Sequence, residues 1–206
     1  VNYSKNSRYL KLKCLSVHIG SQILDYKPYK KMLSVLSKLI KKLNFNFEYV
    51  DLGGGMGISY QQDSKKLNYE KYSKEILKFK KKYGCRIIFE PGRSIIGNAG
   101  IIISKIIYLK ETTSKCFVIL DAAMNDLMRP ALYGAQHKII PVNKNSKRSK
   151  KTYEFVGPIC ESTDKFLTSN NFQKLKQNDY IIICDVGAYG YSLSSNYNSR
   201  PKPAEV

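Results

Sequence analysis

From residue 12 to residue 93 the sequence alternates strand, helix, strand, helix, strand at a spacing of about 35 residues. Residues 12–19 (LKCLSVHI), 47–52 and 86–89 are short apolar or β-branched runs. Between the first two, Asp25 and Pro28 open a helix in which Met32, Leu36, Leu39 and Leu43 recur at helical spacing. Lys30, Lys31, Lys38, Lys41 and Lys42 fill the other positions as a solvated face. A second helix covers residues 69–83, with Ile76, Leu77 and Phe79 apolar among lysines. Strands separated each time by a helix lie parallel, because the helix returns the chain to the edge it left. Each of these strands ends in residues able to do chemistry: His18 and Ser21, then Gly53, Gly54 and Gly55, then Glu90 and Arg93. Functional groups gathered at the C-terminal ends of consecutive strands favour a (β/α)₈ barrel over an open sheet. Three strands cannot close a barrel, so the remainder is expected upstream.

The glycine run sits in VDLGGGMGISY (50–60). Without a Cβ, glycine lets backbone N–H groups approach a ligand, and a succession of them makes an anion cup suited to phosphate. The spacing matches neither a Walker loop nor a dinucleotide fingerprint, since no Gly-Lys-Ser/Thr follows and G-x-G-x-x-G is absent. By itself the run fits a bare strand-to-loop turn equally well.

After Gly97 the pattern changes. Residues 101–109, 116–120, 137–142, 151–156 and 180–184 are short apolar or β-branched runs with turn signals between them, so this half reads as mainly β. The boundary falls near 97–101, which divides the chain into residues 1–98 and 99–206. Residues 143–151, NKNSKRSKK, read as a solvated hairpin loop. The net charge of +19 raises the question of nucleic acid. Only six of the 35 basic residues are Arg, however, and the sequence is rich in Asn, Ile and Tyr, as A+T-rich codons produce. Phosphate and base readers interleave Arg with aromatics in one patch, so the lysines read as solvated surface and no nucleic-acid partner is expected. No apolar run approaches a membrane span and no signal-peptide pattern opens the chain. Five cysteines without a C-x-x-C pair indicate neither a disulfide framework nor zinc, and a reducing cytoplasm fits them. Cys14, Cys85, Cys116 and Cys184 lie in or beside apolar runs and read as inert core thiols.

Six segments together, VHIGSQ (17–22), DLGGGMGISY (51–60), EPGRSIIGNAG (90–100), MNDLMRPALY (124–133), GPICESTDKF (157–166) and DVGAYGYSLSSNYNSRP (185–201), resemble the diaminopimelate decarboxylase family almost end to end. The resemblance implies the alanine-racemase-like fold: a pyridoxal-phosphate-binding (β/α)₈ barrel, here its C-terminal part, followed by a mainly β domain. It also implies a homodimer with shared sites and meso-diaminopimelate as substrate, decarboxylated to L-lysine. Gly54, Gly55 and the Gly92 backbone would hold the cofactor phosphate, with Ser21 and Tyr189 adding hydroxyl donors; alone, Ser21 reads as a helix cap and Tyr189 as a packed aromatic. Glu90 would keep the cofactor's ring nitrogen protonated, where the residues alone suggest an ion pair with Arg93. His18 would pack on the cofactor ring; alone it reads as a structural group. Arg93, which also borders the cofactor, and Arg129 resemble guanidinium clamps for substrate carboxylates. Tyr133 and Tyr189 resemble further substrate contacts, and Glu161 the partner of the distal ammonium. Taken alone, Arg129 before Pro130 reads as an exposed turn residue. Cys160 resembles the acid that reprotonates carbon after CO₂ leaves, supplied with Glu161 across the dimer interface; alone it reads as a buried thiol.

Two other classes remain. An ornithine- or arginine-type decarboxylase would carry Asp-Gly after the active-site Cys, where this sequence has Glu161 and Ser162. A non-catalytic basic binding protein on the same fold would show salt-dependent DNA binding and no cofactor absorbance. The family's cofactor-linking lysine lies on an early barrel strand, upstream of every motif here, and no lysine of this chain has its context. The 206-residue chain alone is therefore expected to be inactive. Incubation with pyridoxal phosphate and meso-diaminopimelate checks this, and any L-lysine formed would refute it.

Overall fold

The computed structural model describes residues 1–60 and 65–206. Two compact units divide the chain, one built from Val1–Ser59 and continuing to Ile95, the other from Ile96–Val206 together with Tyr60.

In the first unit, β1 (Cys14–Ser16), β2 (Tyr49–Asp51) and β3 (Arg86–Ile88) pair in parallel in the order β1-β2-β3. The strands are shorter than the apolar runs because pairing continues past them as single bonds into the loops. The Val17 N–H donates to the Asp51 carbonyl at 3.0 Å, Leu52 to Ile88 at 3.0 Å and Glu90 to Gly53 at 2.9 Å. The helix Lys27–Leu43 starts where the Asp25 carboxylate accepts the Lys27 N–H at 3.0 Å, with Pro28 in the first turn. Its buried stripe is Tyr29, Met32, Leu33, Leu36 and Ile40, with Leu39 at the margin. The helix Tyr69–Tyr83 is capped by the Asn68 side chain and ends at Gly84, whose φ of 61° suits a residue without Cβ. Tyr72, Ile76 and Phe79 face the core. Leu77 does not and is 61% exposed, because one residue past Ile76 lies about 100° round the helix.

The second unit is a six-stranded sheet of order β6-β9-β4-β5-β7-β8. Its strands are β4 (Ile102–Glu111), β5 (Lys115–Leu120), β6 (Ile139–Pro141), β7 (Thr152–Val156), β8 (Lys165–Ser169) and β9 (Tyr180–Ile183). All neighbours are antiparallel except β5 and β7. Strand β4 is shared: its first residues pair with β9 and the stretch from Ile106 pairs with β5. Alternation places Cys116, Val118 and Leu120 in the core with Ile106, Phe155, Ile181 and Ile183. The five runs expected as strands all hold one. Strand β8, KFLTS, has too little apolar character to be read from sequence.

Residues 143–151 do not form a hairpin, because β9, β4 and β5 separate β6 from β7 in the sheet. The segment pairs with a later one instead: Ser149 N–H donates to the Phe172 carbonyl at 2.9 Å and Lys174 N–H to that of Lys147 at 2.8 Å. Buried Gln173 clamps it, donating to the Asn143 carbonyl at 2.7 Å and accepting from the Asn145 N–H at 3.0 Å. Lys144, Lys147 and Lys150 are solvated, as expected, whereas half-buried Lys151 bonds Glu111 at 2.7 Å.

Cys85 and Cys116 are buried, Cys14 and Cys184 half-buried, and Cys160 is exposed. Burial pushes the Cys85, Cys116 and Cys184 thiols up, which keeps them protonated and unreactive. Among the described residues no helix is long and apolar enough to cross a membrane, and no cluster of His, Cys, Asp or Glu could hold a metal.

Glu154 on β7 lies buried between Lys115 at 2.8 Å and Lys165 at 3.3 Å. The Lys115 hydrogen bond, working against burial, holds its carboxyl below the usual value of 4.5. A carboxyl lowered by folding contributes stability above its unfolded value and loses it as pH falls through the folded one. Glu154→Gln is expected to cost about 1–2 kcal/mol at neutral pH and to lessen the further loss on acidification below 4.5. Urea titrations across that range check this; equal acid sensitivity in both proteins would contradict it.

Candidate functional site

Because β1, β2 and β3 are parallel, the loops that leave their C-terminal ends share one edge of the sheet. The glycine turn after β2 is shaped from both sides. Asp51, buried, accepts the Gly53 N–H at 2.8 Å and the Ser16 hydroxyl at 3.2 Å, which fixes the start of the turn. A Cβ on Gly54 would stand 2.1 Å from the Glu90 carbonyl oxygen, and one on Gly55 would stand 2.2 Å from that of Gly20. Gly53 and Gly55 also have φ of +66° and +87°. These glycines are thus required by the neighbouring loops whatever ligand is bound. Buried Tyr29, its phenol pushed up to about 12 by burial, donates to the Gly54 carbonyl at 3.2 Å. The Gln22 side chain spans to residue 58, donating to the Ile58 carbonyl at 2.6 Å and accepting its N–H at 3.3 Å.

Gly92 differs. Nothing lies within 4 Å of where its Cβ would be, and its φ is ordinary. Beside it Arg93 donates to the Ser21 hydroxyl at 3.2 Å. His18 and Glu90 are exposed at the same edge. The Gly54 N–H approaches His18 Nδ1 at 3.4 Å, so the neutral ring carries its proton on Nε2 and is held in one orientation. Hydroxyl, guanidinium and open backbone donors can together hold a phosphate, and Ser21, Arg93 and Gly92 bring one of each to this edge.

In the second unit, Arg129 begins the short helix Arg129–Tyr133 and is buried, at 6% exposure. The exposed-turn alternative therefore does not hold. Its guanidinium donates to His137 Nε2 at 2.9 Å and lies 4.6 Å from the Tyr60 ring centroid. Tyr133, at the end of that helix, is exposed. Cys160 and Glu161 are both exposed on the loop of residues 157–164, which overturns the buried-thiol alternative. That loop is folded around Asp164, 2% exposed, whose carboxylate accepts the Ile159 N–H at 2.8 Å and the Met124 N–H at 2.7 Å. Burial pushes the Asp164 carboxyl up, and the two N–H donors oppose the shift. Residue 157 is glycine because a Cβ there would meet the two Asp164 oxygens at 2.3 and 2.4 Å. Tyr197 donates to the Glu161 carboxylate, which raises the Tyr197 phenol, and Thr163 approaches the other oxygen at 3.4 Å. Arg200 donates to Asn125 at 3.0 Å and pairs with Asp126 at 3.5 Å, tying the last part of the chain to the segment before Arg129. Tyr189 is 48% exposed with φ of +60°, uncommon for an aromatic residue and costing about 1–3 kcal/mol. It is not a packed aromatic.

The family model for pyridoxal-dependent decarboxylase, C-terminal sheet domain, matches residues 7–187. The chain belongs to that family. A diaminopimelate decarboxylase from Aquifex aeolicus is 40% identical over 99% of this decarboxylase-family chain and 49% of its own length. One from Zymomonas mobilis is 43% identical over 99% and 49%. The crystal structure of diaminopimelate decarboxylase from M. jannaschii in co-complex with L-lysine superposes with a TM-score of 0.91 at 33% identity, covering 98% of this chain and 48% of that one. The chain spans about half the length of the curated relatives it matches. Its fold is α/β followed by β, as in those decarboxylases.

Asp51 in the first unit, and Asp164, His137, Tyr60 and Tyr197 in the second, hold candidate groups of their own unit in place without having been singled out as site residues from sequence. One signal was available: the sequence has two histidines, and His137 follows Arg129 closely at the head of an apolar run.

The two kinds of glycine separate experimentally. Gly54→Ala should destabilise the protein by about 1–3 kcal/mol in chemical denaturation. Gly92→Ala should leave stability within about 0.5 kcal/mol while weakening retention of pyridoxal phosphate, read by absorbance after dialysis. Unchanged retention in Gly92→Ala would remove Gly92 from the cup.

Proposed function

We propose that the protein carrying this chain is a pyridoxal-phosphate-dependent decarboxylase that converts meso-diaminopimelate to L-lysine and CO₂. The observation that carries the reading is the Arg93–Ser21 contact at 3.2 Å beside the open Gly92 backbone, an anion cradle at the edge that also bears His18 and Glu90. The family match supports pyridoxal phosphate as the cofactor, and the relatives named above, which align with almost the whole chain, support meso-diaminopimelate as the substrate.

In this reading Ser21, Gly54, Gly55, Gly92, Arg93 and the Tyr189 hydroxyl hold the phosphate. The strained backbone of Tyr189 supports a functional role there, since strain of this kind persists where geometry is needed. Bound pyridoxal phosphate supplies an electron sink for the pair released when the α-carboxylate departs. Glu90 would be the carboxylate beside the cofactor's ring nitrogen, where it would keep that nitrogen protonated. His18 presents its ring face, kept in orientation by the Gly54 N–H.

Arg93 and Arg129 pair with the substrate carboxylates, with Tyr133 and Tyr189 as further contacts, and Glu161 accepts the distal ammonium. Tyr197 and Thr163 hold the Glu161 carboxylate, as a recognition group requires. A substrate such as ornithine, with a carboxylate at one end only, would leave the guanidinium clamp for the second carboxylate unsatisfied. The C–C bond to the carboxylate breaks, CO₂ leaves, and the Cys160 thiol gives its proton to the carbon left behind; solvent then restores the thiol. The exposure of Cys160 and Glu161 supports their serving the site of a second subunit in a cytoplasmic homodimer.

Cys160→Ala tests the assignment in the full protein. The expected result is a kcat lowered about 10²-fold or more with pyridoxal-phosphate content unchanged. An unaltered kcat, or a wild-type protein that consumes ornithine and not meso-diaminopimelate, would overturn it.

A further inference from the structure

The second histidine of the chain has no role in the reading above, yet it is among the most buried polar groups. His137 is 1% exposed, and both of its ring nitrogens are engaged. Nε2 lies 2.9 Å from Arg129 Nη1, and Nδ1 lies 2.9 Å from the Cys184 carbonyl oxygen. A guanidinium donates only and does not deprotonate in proteins. Nε2 must therefore carry a lone pair, and the single ring proton sits on Nδ1, where the Cys184 carbonyl accepts it. Each contact fixes the other, and the ring has one tautomer and one orientation available.

The local sequence makes this meeting possible. Gly134, with φ of 61° and ψ of 24°, ends the short helix, and its N–H returns to the Arg129 and Pro130 carbonyls. The chain reverses there, so that a residue only eight positions beyond Arg129 comes back against it. Tyr60 completes the mount. Its ring lies 4.6 Å from the Arg129 guanidinium carbon and meets the His137 ring edge-on at 5.0 Å between centroids. A guanidinium that donates to a fixed acceptor and lies over an aromatic ring has little rotamer freedom left to lose when a ligand binds.

We propose that His137 is a positioning residue for Arg129: a neutral, fixed acceptor that aims the guanidinium at a substrate carboxylate. The inference rests on the assignment of Arg129 as a carboxylate clamp. His137 touches neither substrate nor cofactor in this account and acts through Arg129 alone. Its loss should therefore appear in carboxylate binding and not in the chemical step.

The test uses the full protein loaded with pyridoxal phosphate, in three forms: wild type, His137→Leu, which keeps bulk and removes the acceptor, and His137→Gln, whose amide can accept from Arg129 and donate to the Cys184 carbonyl. The KM for meso-diaminopimelate and the inhibition constants of L-lysine and of 1,5-diaminopentane, which has no carboxylate, are measured. His137→Leu is expected to raise the KM and the L-lysine inhibition constant together, about 10- to 100-fold, with kcat and the 1,5-diaminopentane constant within about threefold. His137→Gln is expected to recover most of the loss. An unchanged L-lysine constant in His137→Leu would overturn the proposal. So would a parallel fall in kcat, cofactor content and thermal stability in both variants, which marks a purely structural histidine. If His137→Leu does not fold, Tyr60→Leu replaces it and must show the same carboxylate-specific loss. The wild type separates the two levels of argument: failure to bind either diaminopimelate or L-lysine refutes the functional reading, whereas binding that the variants leave untouched refutes only the role of His137.

Discussion

Main-chain atoms meeting main-chain atoms at the C-terminal edge of the parallel sheet are the contact on which the first unit's candidate groups depend. Gly54 lies against the Glu90 carbonyl, Gly55 against that of Gly20, and Gly53 against that of Val17. Three loops approach to distances that any side chain at these positions would forbid. Hydrogen bonds from Val17, Ile23 and Glu90 then join them into a single layer. Buried peptide groups must find partners, and here each loop supplies the others'. Ser21, His18, Glu90 and Arg93 are mounted on this layer, so their spacing is set by backbone and not by their own packing.

The second unit solves the same problem with a charge. Asp164 is a buried carboxylate whose pKa rises on folding, so at neutral pH it opposes stability, and its contribution improves only as pH falls. An apolar residue of like volume would avoid that cost. No apolar residue could accept two N–H groups, however, one from its own loop and one from the segment that leads to Arg129. Stability is given up for a defined path through residues 157–164, which is the segment that displays Cys160 and Glu161. Local frustration of this kind belongs where a chain must hold exposed reactive groups in place.

Much of this was legible in the sequence, unevenly. The βαβαβ order followed from hydrophobic period, and the β-rich second half from short runs with turn signals, because both are repeated local patterns. The family was legible from six short motifs in order. Strand β8 was not, since KFLTS carries a weak pattern and is held by pairing with β7. The path of residues 143–151 was misread, because proximity in sequence suggested pairing between strands that the sheet separates. Nor could sequence say which glycines serve packing and which face open space: Gly54 and Gly92 are the same residue, distinguished only by what surrounds the missing Cβ. Among isolated residues, Arg129 beside Pro130 resembled surface, and only the fold brings His137 and Tyr60 to it.

Gln173 has a broader implication. Its buried amide and the main-chain bonds around it hold residues 143–151 by their backbone, while the side chains of Lys144, Lys147, Arg148 and Lys150 are exposed and that of Lys151 bonds Glu111. Asn145 and Ser149 add side-chain bonds to that backbone, so the path of the segment asks nothing of the four exposed basic side chains. Those four positions can drift in composition under mutational pressure as long as Gln173, Asn145 and Ser149 keep their contacts with the backbone. The positive charge at those four positions is in that sense written where the fold does not read it, unlike that of Lys115 and Lys165 beside Glu154.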